Sequence, residues 1–211
     1  RWSKEHHAGS VAPWTAAEHW LFERLVYGKL RQALGGAMRF AFSGGGPLGV
    51  RLTHFFDGAG VCIYEGYGLT EAAPGVSSTV VSGVAKPGSV GQPFPGVEVR
   101  LVDDDGDEID PTEGDPGEIW IRGDNLFSGY WPDGSGGPDA DGWYATGDVA
   151  FADEDGDLHI VDRRKDVVIV SGFNVYPREV ETVLLQHPGV QEAAAIGLPD
   201  DRTGEAVKAF V

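Results

Sequence analysis

Apolar residues recur at helical spacing in the first third of the chain and in short runs thereafter. Over residues 15–34 they recur every three or four positions, which predicts an amphipathic helix that Gly35 and Gly36 end. MRFAFS (38–43) and VCIY (61–64) are short apolar strands with a second predicted helix between them. A strand, a helix and a strand in this order predict a parallel pair within an α/β layer.

The pattern changes after about residue 85, where short strands are separated by Gly, Pro and Asp. These strands are EVRLV, GEIWI, VAFA, DLHIV and VVIV. Their length and spacing predict a mostly β region, with a surface loop at 130–143. Near the end, a helix with Pro177 in its first turn and Gly189 beyond its end precedes the strand-like VQEAAAIGL.

Composition excludes several classes of function. The net charge of −17 argues against a nucleic-acid or anionic-membrane surface, although a local pocket can still bind phosphate through backbone N–H groups. Cys62 is the single cysteine, so an internal disulfide cannot form and a cysteine-based metal site is not indicated. No apolar run reaches the length of a membrane span, so we expect a cytoplasmic protein. Peripheral membrane association and the oligomeric state stay open.

The two ends of the chain predict that it is a segment of a longer protein. The start, RWSKEHHAGS, resembles neither a signal peptide nor an initiator methionine, and EAVKAFV stops inside a predicted strand.

Two acidic runs, 103–107 and 153–157, resemble calcium-binding loops. An EF-hand requires glycine at the sixth position and a carboxylate at the twelfth, and neither run meets both conditions. Both are therefore predicted to be Asp-Gly turns between strands.

The glycine-rich loop GGGPLG (44–49) fits the dinucleotide pattern G-x-G-x-x-G. It lies between a strand and a helix, and Glu65 ends the next strand about 20 residues on, where it could hold a ribose hydroxyl. An ordinary turn that packs a helix close to a sheet explains the same loop. Against the Rossmann reading, the unit lies in mid-chain and nothing downstream resembles a second mononucleotide half.

Five stretches together resemble the adenylate-forming (AMP-binding) superfamily, in the order that family shows. They are SGGGPL (43–48), YGLTE (67–71), GEIWIRG (117–123), GWYATGD (142–148) and IVDRRKDVVIVSGFNVYPREVE (160–181). Within the superfamily, the segment 25–49 is most similar to long-chain fatty acyl-CoA ligases.

The resemblance implies a mixed α/β fold and a division into domains. Residues 1–162 would form the C-terminal part of a large domain, with an α/β unit at 1–84 and a mostly β, barrel-like subdomain at 85–162. A hinge at 163–165 would lead to 166–211, the beginning of a small α+β C-terminal domain.

The resemblance also implies a ligase activity. Such an enzyme joins a carboxylic acid, here expected to be a fatty acid, to the AMP moiety of ATP and releases pyrophosphate. It then transfers the acyl group to the thiol of coenzyme A. The implied substrates and cofactors are the acid, ATP or AMP, Mg²⁺ and coenzyme A.

Site residues follow from the family motifs. Tyr67 would stack on adenine, the glycine loop would form the facing wall of the slot, and Glu65 would contact the adenine edge. Glycines on both sides of Tyr67 would let the backbone approach the ligand. The expected nucleotide-binding residues are Gly44, Gly45, Gly46, Pro47, Glu65, Gly66, Tyr67, Gly68, Thr70, Asp148 and Arg163.

The polar members of this set have distinct expected roles. Thr70 and Glu71 would be catalytic, with Thr70 on a phosphate oxygen and Glu71 on magnesium. Asp148 would accept from both ribose hydroxyls, and Arg163 would bridge ribose and phosphate oxygens. The alternatives are a core ring at Tyr67, a helix cap at Thr-Glu and a turn aspartate at Asp148.

Two further motifs concern movement and the thiol. Lys165 would be the pivot of the C-terminal domain. Ser171, Gly172 and Phe173 would line the tunnel for coenzyme A, unless Gly172 is an ordinary hairpin glycine.

Two family elements have no match in the sequence, namely a Ser/Thr/Gly-rich phosphate loop ending in Lys and a C-terminal catalytic Lys; Lys208 does not fit the second. We therefore expect the chain alone to adenylate poorly. A Rossmann-type NAD(P)-dependent oxidoreductase and a non-catalytic adenylate-binding module remain as alternatives.

Overall fold

The computed structural model describes residues 1–46, 48–111 and 114–211. The predictions made for Pro47 therefore lie outside the described residues. Within these ranges no helix combines the length and apolar character needed to cross a membrane. The chain packs as two compact units, Arg1–Gly96 and Val97–Val211, and each is described by itself.

The helices confirm the sequence-based prediction for the start of the chain. The helix expected over 15–34 is continuous from Pro13 to Ala33, with one wider π-helical turn at Glu23–Tyr27. Proline in its first turn fits this start because the missing N–H has no partner within a helix there. The α-helices are α1 Trp2–His7, α2 Pro13–Phe22, α3 Gly28–Ala33, α4 Val50–Gly58, α5 Thr79–Ser82 and α6 Pro177–Leu184.

The strands are short. Most of them fall where the apolar runs predicted a strand, whereas Gly75–Ser78, Gln92–Pro93, Glu108–Ile109 and Phe173–Val175 were not predicted. In chain order the strands are β1 Phe40–Ser43, β2 Cys62–Gly68, β3 Gly75–Ser78, β4 Gln92–Pro93, β5 Val97–Val102, β6 Glu108–Ile109, β7 Gly117–Gly123, β8 Tyr144–Ala152, β9 Leu158–Arg163, β10 Val168–Val170, β11 Phe173–Val175, β12 Ala194–Asp200 and β13 Gly204–Phe210.

The first unit contains the predicted strand–helix–strand arrangement. Its sheet has the order β1-β2-β3-β4, and β1 runs parallel to β2 with Ser43 opposite Glu65. From β2 onwards the sheet is antiparallel. In the described part of the chain β1 lies at the end of this sheet, and its Phe40 and Phe42 side chains are exposed by 55% and 66%.

The second unit is mostly β, and its strands β5–β9 lie within the region 85–162 for which the sequence predicted this texture. A five-stranded antiparallel sheet has the order β6-β5-β7-β8-β9, and its core includes the fully buried Ile119 and Ile121. A four-stranded sheet, β11-β10-β13-β12, follows, and α6 packs on β12. The hinge expected at 163–165 joins the two sheets in sequence, and its role as a hinge stays a prediction.

Both acidic runs form turns between strands, which confirms that prediction. The N–H of Asp103 donates to the carbonyl of Asp107 at 2.9 Å, and the N–H of Asp153 donates to the carbonyl of Asp157 at 3.0 Å. The Asp103 Oδ1 accepts from the backbone of Asp105 and Asp107. In the second turn, carboxylate oxygens of three aspartates lie within 4.8 Å of one another as part of the same turn geometry.

Gly68 permits a close approach of two backbone segments. The register between β2 and β3 shifts between Tyr67 and Gly68, which brings Gly68 opposite Gly75. A Cβ at Gly68 would lie 1.8 Å from the carbonyl oxygen of Pro74, closer than any real contact. The glycine is therefore required by the chain itself, whatever ligand lies nearby.

We expect Gly68→Ala to destabilise the first unit by about 2 kcal/mol or more, because the added methyl group forces the turn at Pro74 to open. Urea unfolding measures this loss. Gly46→Ala is the matched control, because a Cβ there meets nothing within 4 Å. Equal stability of the two variants would contradict the packing argument.

Candidate functional site

An open groove of about 730 Å³ lies in the first unit, beside the ends of β1 and β2. It brings together the glycine loop and the YGLTE motif, whose first residues, Gly44 and Tyr67, are 23 positions apart in the sequence. The groove is lined by Phe42, Ser43, Gly44, Gly45, Gly66, Tyr67, Gly68, Leu69, Thr70, Pro74, Gly75, Ser77, Ser78, Val80 and Phe94.

The parallel pairing of β1 and β2 explains how this groove arises. Because Ser43 is opposite Glu65, the chain leaves β1 directly beside Gly66 and Tyr67. A Cβ on Gly44 would lie 3.5 Å from the carbonyl oxygen of Gly66, so the two segments run close together. Gly44 and Gly45 are exposed, Tyr67 is half-buried, and all three line the groove.

Glu65 is buried, and its carboxylate is engaged within the first unit. One oxygen accepts from the N–H of Leu48 at 3.3 Å, and the other accepts from the Thr53 hydroxyl at 3.2 Å. Thr53 lies on α4, so Glu65 ties the end of the glycine loop and the start of that helix to β2. A contact between this carboxylate and adenine, as the sequence predicts, would have to compete with both hydrogen bonds.

Thr70 and Glu71 lie in a short 3₁₀ turn, Thr70–Ala72, directly after β2. Thr70 is exposed and lines the groove, whereas Glu71 is half-buried. Ala73 follows in the left-handed conformation with φ of 42°, which turns the chain back towards β3. Thr70 is thus on the groove, and Glu71 is one residue further into the turn.

Asp148 and Arg163 lie opposite each other in the second unit, on β8 and β9. The Arg163 Nε is 3.5 Å from the Asp148 Oδ1. The Asp148 side chain is 18% exposed and the Arg163 side chain 64%, so the carboxylate is the more buried member of the pair. The structure thus brings Asp148 and Arg163 together, and their expected contacts with ribose and phosphate stay predictions.

Glu118 is a residue of this region to which the sequence analysis gave no role. It is 7% exposed, and its carboxylate accepts from the N–H of Gly147 at 3.1 Å and from the Trp120 Nε1 at 3.2 Å. The Arg164 Nη1 also donates to it. The alternation of GEIWIRG places Glu118 on the face opposite Ile119 and Ile121, so the local pattern gave no signal that this carboxylate is buried.

The Arg164 side chain also borders an acidic cavity of about 1130 Å³ in the second unit. Tyr176 lines the same cavity. Burial, and then the charge of Asp104, raise the pKa of the Tyr176 hydroxyl, so this group is a neutral donor at ordinary pH. Carboxylates line the cavity at Asp103, Asp104, Glu108, Asp110, Asp115 and Glu118.

Ser171 and Gly172 form the two-residue turn of the β10–β11 hairpin. Val170 pairs with Phe173, and both turn residues have positive φ values, 52° for Ser171 and 84° for Gly172. Glycine suits this backbone conformation. The turn leaves Phe173 75% exposed. The conformation explains Gly172 without a ligand, and the coenzyme A tunnel stays a prediction.

Known long-chain fatty acid ligases are similar to this chain. A long-chain-fatty-acid–CoA ligase of Escherichia coli O157:H7 is 47% identical over 195 residues, which is 90% of this chain and 34% of that protein. The long-chain-fatty-acid–CoA ligase FadD15 of Mycobacterium tuberculosis is 43% identical over 93% of this chain and 31% of its own length. The chain thus spans about a third of these relatives, 34% and 31% respectively.

Solved structures of adenylate-forming enzymes have the same fold. ATP-bound MatB from Rhodopseudomonas palustris has a TM-score of 0.76 at 38% identity, covering 87% of this chain and 38% of MatB. The o-succinylbenzoate-CoA synthetase MenE from Bacillus subtilis, in complex with its acyl-adenylate, has a TM-score of 0.70 at 32% identity, covering 85% of this chain and 38% of MenE. These similarities confirm the mixed α/β fold that the motifs implied.

Two family models match consecutive parts of the sequence. The model described as "AMP-binding enzyme" matches residues 12–131, and the model described as "AMP-binding enzyme C-terminal domain" matches residues 179–211. The first match alone extends over more than half of the 211 residues. The chain therefore belongs to the AMP-binding enzyme family.

Proposed function

We propose that the protein containing this chain is an ATP-dependent acid–CoA ligase that acts on a fatty acid. It activates the carboxylate as an acyl-adenylate, releases pyrophosphate and transfers the acyl group to the thiol of coenzyme A. The names of the similar ligases from Escherichia coli and Mycobacterium tuberculosis support the fatty acid and the thiol acceptor. Since this chain spans about a third of them, the proposal concerns the whole protein.

The observation that carries the proposal is the groove shared by the glycine loop and Tyr67. We infer that the two glycines, which have no side chains, form one wall of a slot for a planar base and that the Tyr67 ring forms the other. Stacking a base on an aromatic side chain contributes about 1–3 kcal/mol and does not depend on hydrogen bonds to the base. Adenine of ATP fits this chemistry.

Asp148 and Arg163 supply the groups that the sugar and phosphates need. A carboxylate can accept from both ribose hydroxyls, and the limited exposure of Asp148 keeps its position fixed. The guanidinium of Arg163 can then bridge ribose and phosphate oxygens. In a chain of net charge −17, a local cation is required to offset the repulsion of ATP.

Thr70 and Glu71 suit a triphosphate with its magnesium ion. The Thr70 hydroxyl is exposed on the groove, where it can donate to a phosphate oxygen. Glu71 offers hard oxygen atoms, the ligand type that Mg²⁺ prefers. When bound, the ion neutralises charge that develops on the phosphates as pyrophosphate leaves.

The C-terminal part of the chain is proposed to allow the rotation of a domain and to line the passage for the thiol of coenzyme A. Lys165 lies in a short turn, Arg164–Asp166, between β9 and β10, where one residue can absorb a change in backbone angles. The exposed turn at Ser171 and Gly172, with Phe173, is proposed to line the passage for coenzyme A. In this reading residues 1–162 and 166–211 belong to different domains of the whole enzyme.

The Rossmann alternative is less consistent with the first unit. After β2 the sheet continues with the antiparallel β3, whereas a dinucleotide fold continues with further parallel strands. The Glu65 carboxylate, which would have to hold a ribose, is bound to Leu48 and Thr53. The binding of NAD without the binding of adenylates would restore this alternative.

Turnover by the complete protein tests the proposal directly. With ATP, Mg²⁺, palmitate and coenzyme A we expect pyrophosphate release that depends on the acid, whereas NAD should not bind in calorimetry. Binding of AMP without any turnover would favour the non-catalytic adenylate-binding module. The 211-residue chain alone is expected to turn over poorly, because its sequence lacks a match to the phosphate loop and to the C-terminal lysine.

Replacing Tyr67 tests the stacking face. We expect Tyr67→Leu to weaken AMP binding roughly ten-fold, because an aliphatic side chain loses the stacked ring. Tyr67→Phe is the matched control, since it keeps the ring, and should bind within about two-fold of the original protein. Calorimetry with AMP measures both. Equal losses in the two variants would show that the hydroxyl, and not the ring, matters.

Replacing Asp148 tests the ribose contact. Asp148→Asn keeps the shape of the side chain and removes its charge. AMP binding should therefore weaken by roughly ten-fold or more, which corresponds to the free energy of a hydrogen bond to a charged acceptor. Asp105→Asn, in an exposed turn of the same unit, is the control and should have no effect. The same comparison with 2′,3′-dideoxy-AMP should show no difference, because the hydroxyls are gone.

A further inference from the structure

Three segments of the second unit meet at the buried carboxylate of Glu118. Its Oε1 accepts from the N–H of Gly147, and its Oε2 accepts from the Trp120 Nε1 and the Arg164 Nη1. The side chain is only 7% exposed, so its charge depends on these donors for compensation. Among them Arg164 supplies the full positive charge.

One of the three segments carries Asp148. In the pairing of β7 with β8, Glu118 is opposite Val149 and Trp120 is opposite Ala145. The β8 strand therefore has more residues than β7 between these two pairs and forms a bulge there. Bulges of this kind redirect a side chain. The Thr146 hydroxyl donates to the carbonyl of Ile119 at 2.9 Å, and Gly147 donates to Glu118 at 3.1 Å. These two contacts fix the backbone immediately before Asp148.

Another segment is the turn that contains the predicted pivot. Arg164 stands between Arg163 and Lys165, and its guanidinium divides between two carboxylates. Nη1 donates to the buried Glu118, and Nη2 lies 3.6 Å from the exposed Asp104. The Arg164 side chain is 44% exposed, so the Arg164 end of the pair with Glu118 is reachable from solvent.

We propose that Glu118 is a positioning residue that couples the loop of Asp148 to the segment 163–166. When Arg164 withdraws, the buried carboxylate loses its cationic partner, and its hydrogen bond to Gly147 must change with it. A rotation at Lys165 is thereby communicated to the carboxylate that holds the ribose. The part of this inference that concerns the nucleotide rests on the proposed function, whereas the coupling between the two segments does not.

Hydrogen exchange in the complete protein tests the coupling without any ligand. In Glu118→Gln and in Arg164→Gln, the amides of residues 144–149 should exchange roughly ten-fold faster. This factor corresponds to losing the free energy of one charge-assisted hydrogen bond. In Glu118→Gln the amides of 163–166 should also exchange faster. Asp104→Asn removes only the exposed partner of Arg164 and should leave 144–149 unchanged. Unchanged exchange at 144–149 in Arg164→Gln would overturn the proposal.

Affinity for AMP tests the consequence at the nucleotide site. Glu118→Gln and Arg164→Gln should each weaken AMP binding several-fold. The affinity of the double variant for AMP should be no lower than that of the single variant with the lower affinity, because both substitutions act through one contact. Additive losses would overturn the coupling and leave the proposed function intact. Absence of AMP binding by the original protein would overturn the proposed function, and the exchange experiment would then decide the coupling alone.

Discussion

The parallel pairing of β1 with β2 is the constraint on which the groove depends. It places Ser43 beside Glu65, so that a loop without side chains leaves one strand where an aromatic residue ends the other. Glu65 maintains this arrangement, because its carboxylate holds both the backbone of Leu48 and the hydroxyl of Thr53. A buried carboxylate thus acts as a clamp between loop, helix and sheet, and the exposed glycines are free to face a ligand.

The second unit has a similar arrangement, in which a different buried carboxylate holds separate segments together. Glu118 holds the backbone of Gly147 from one side and the guanidinium of Arg164 from the other. In each unit, a buried carboxylate positions a segment carrying residues proposed to contact the nucleotide. Removing a partner from a buried charge costs more than removing an exposed pair. Precision at the proposed site would therefore depend on the hydrogen bonds of these two buried carboxylates.

The sequence was sufficient for the elements and for the family, and insufficient for the partners of individual side chains. Helical spacing over 15–34 and the strand–helix–strand order depend on local patterns, and the structure confirms both. The glycine pattern at 66–68 suggested room for a ligand, but Gly68 is required by the backbone of Pro74. Glu65 and Glu118 find their partners through the register of strands distant in sequence, which no local pattern contains.

The position of β1 at the end of its sheet has a practical consequence. Among the described strands β1 pairs with β2 alone, so its outer edge, beside the exposed Phe40 and Phe42, is one onto which another extended peptide can add by hydrogen bonding. At high concentration, copies of the chain would pair with one another along this edge. Dilute samples, or a charged residue introduced into that strand, would keep measurements on the chain free of self-association.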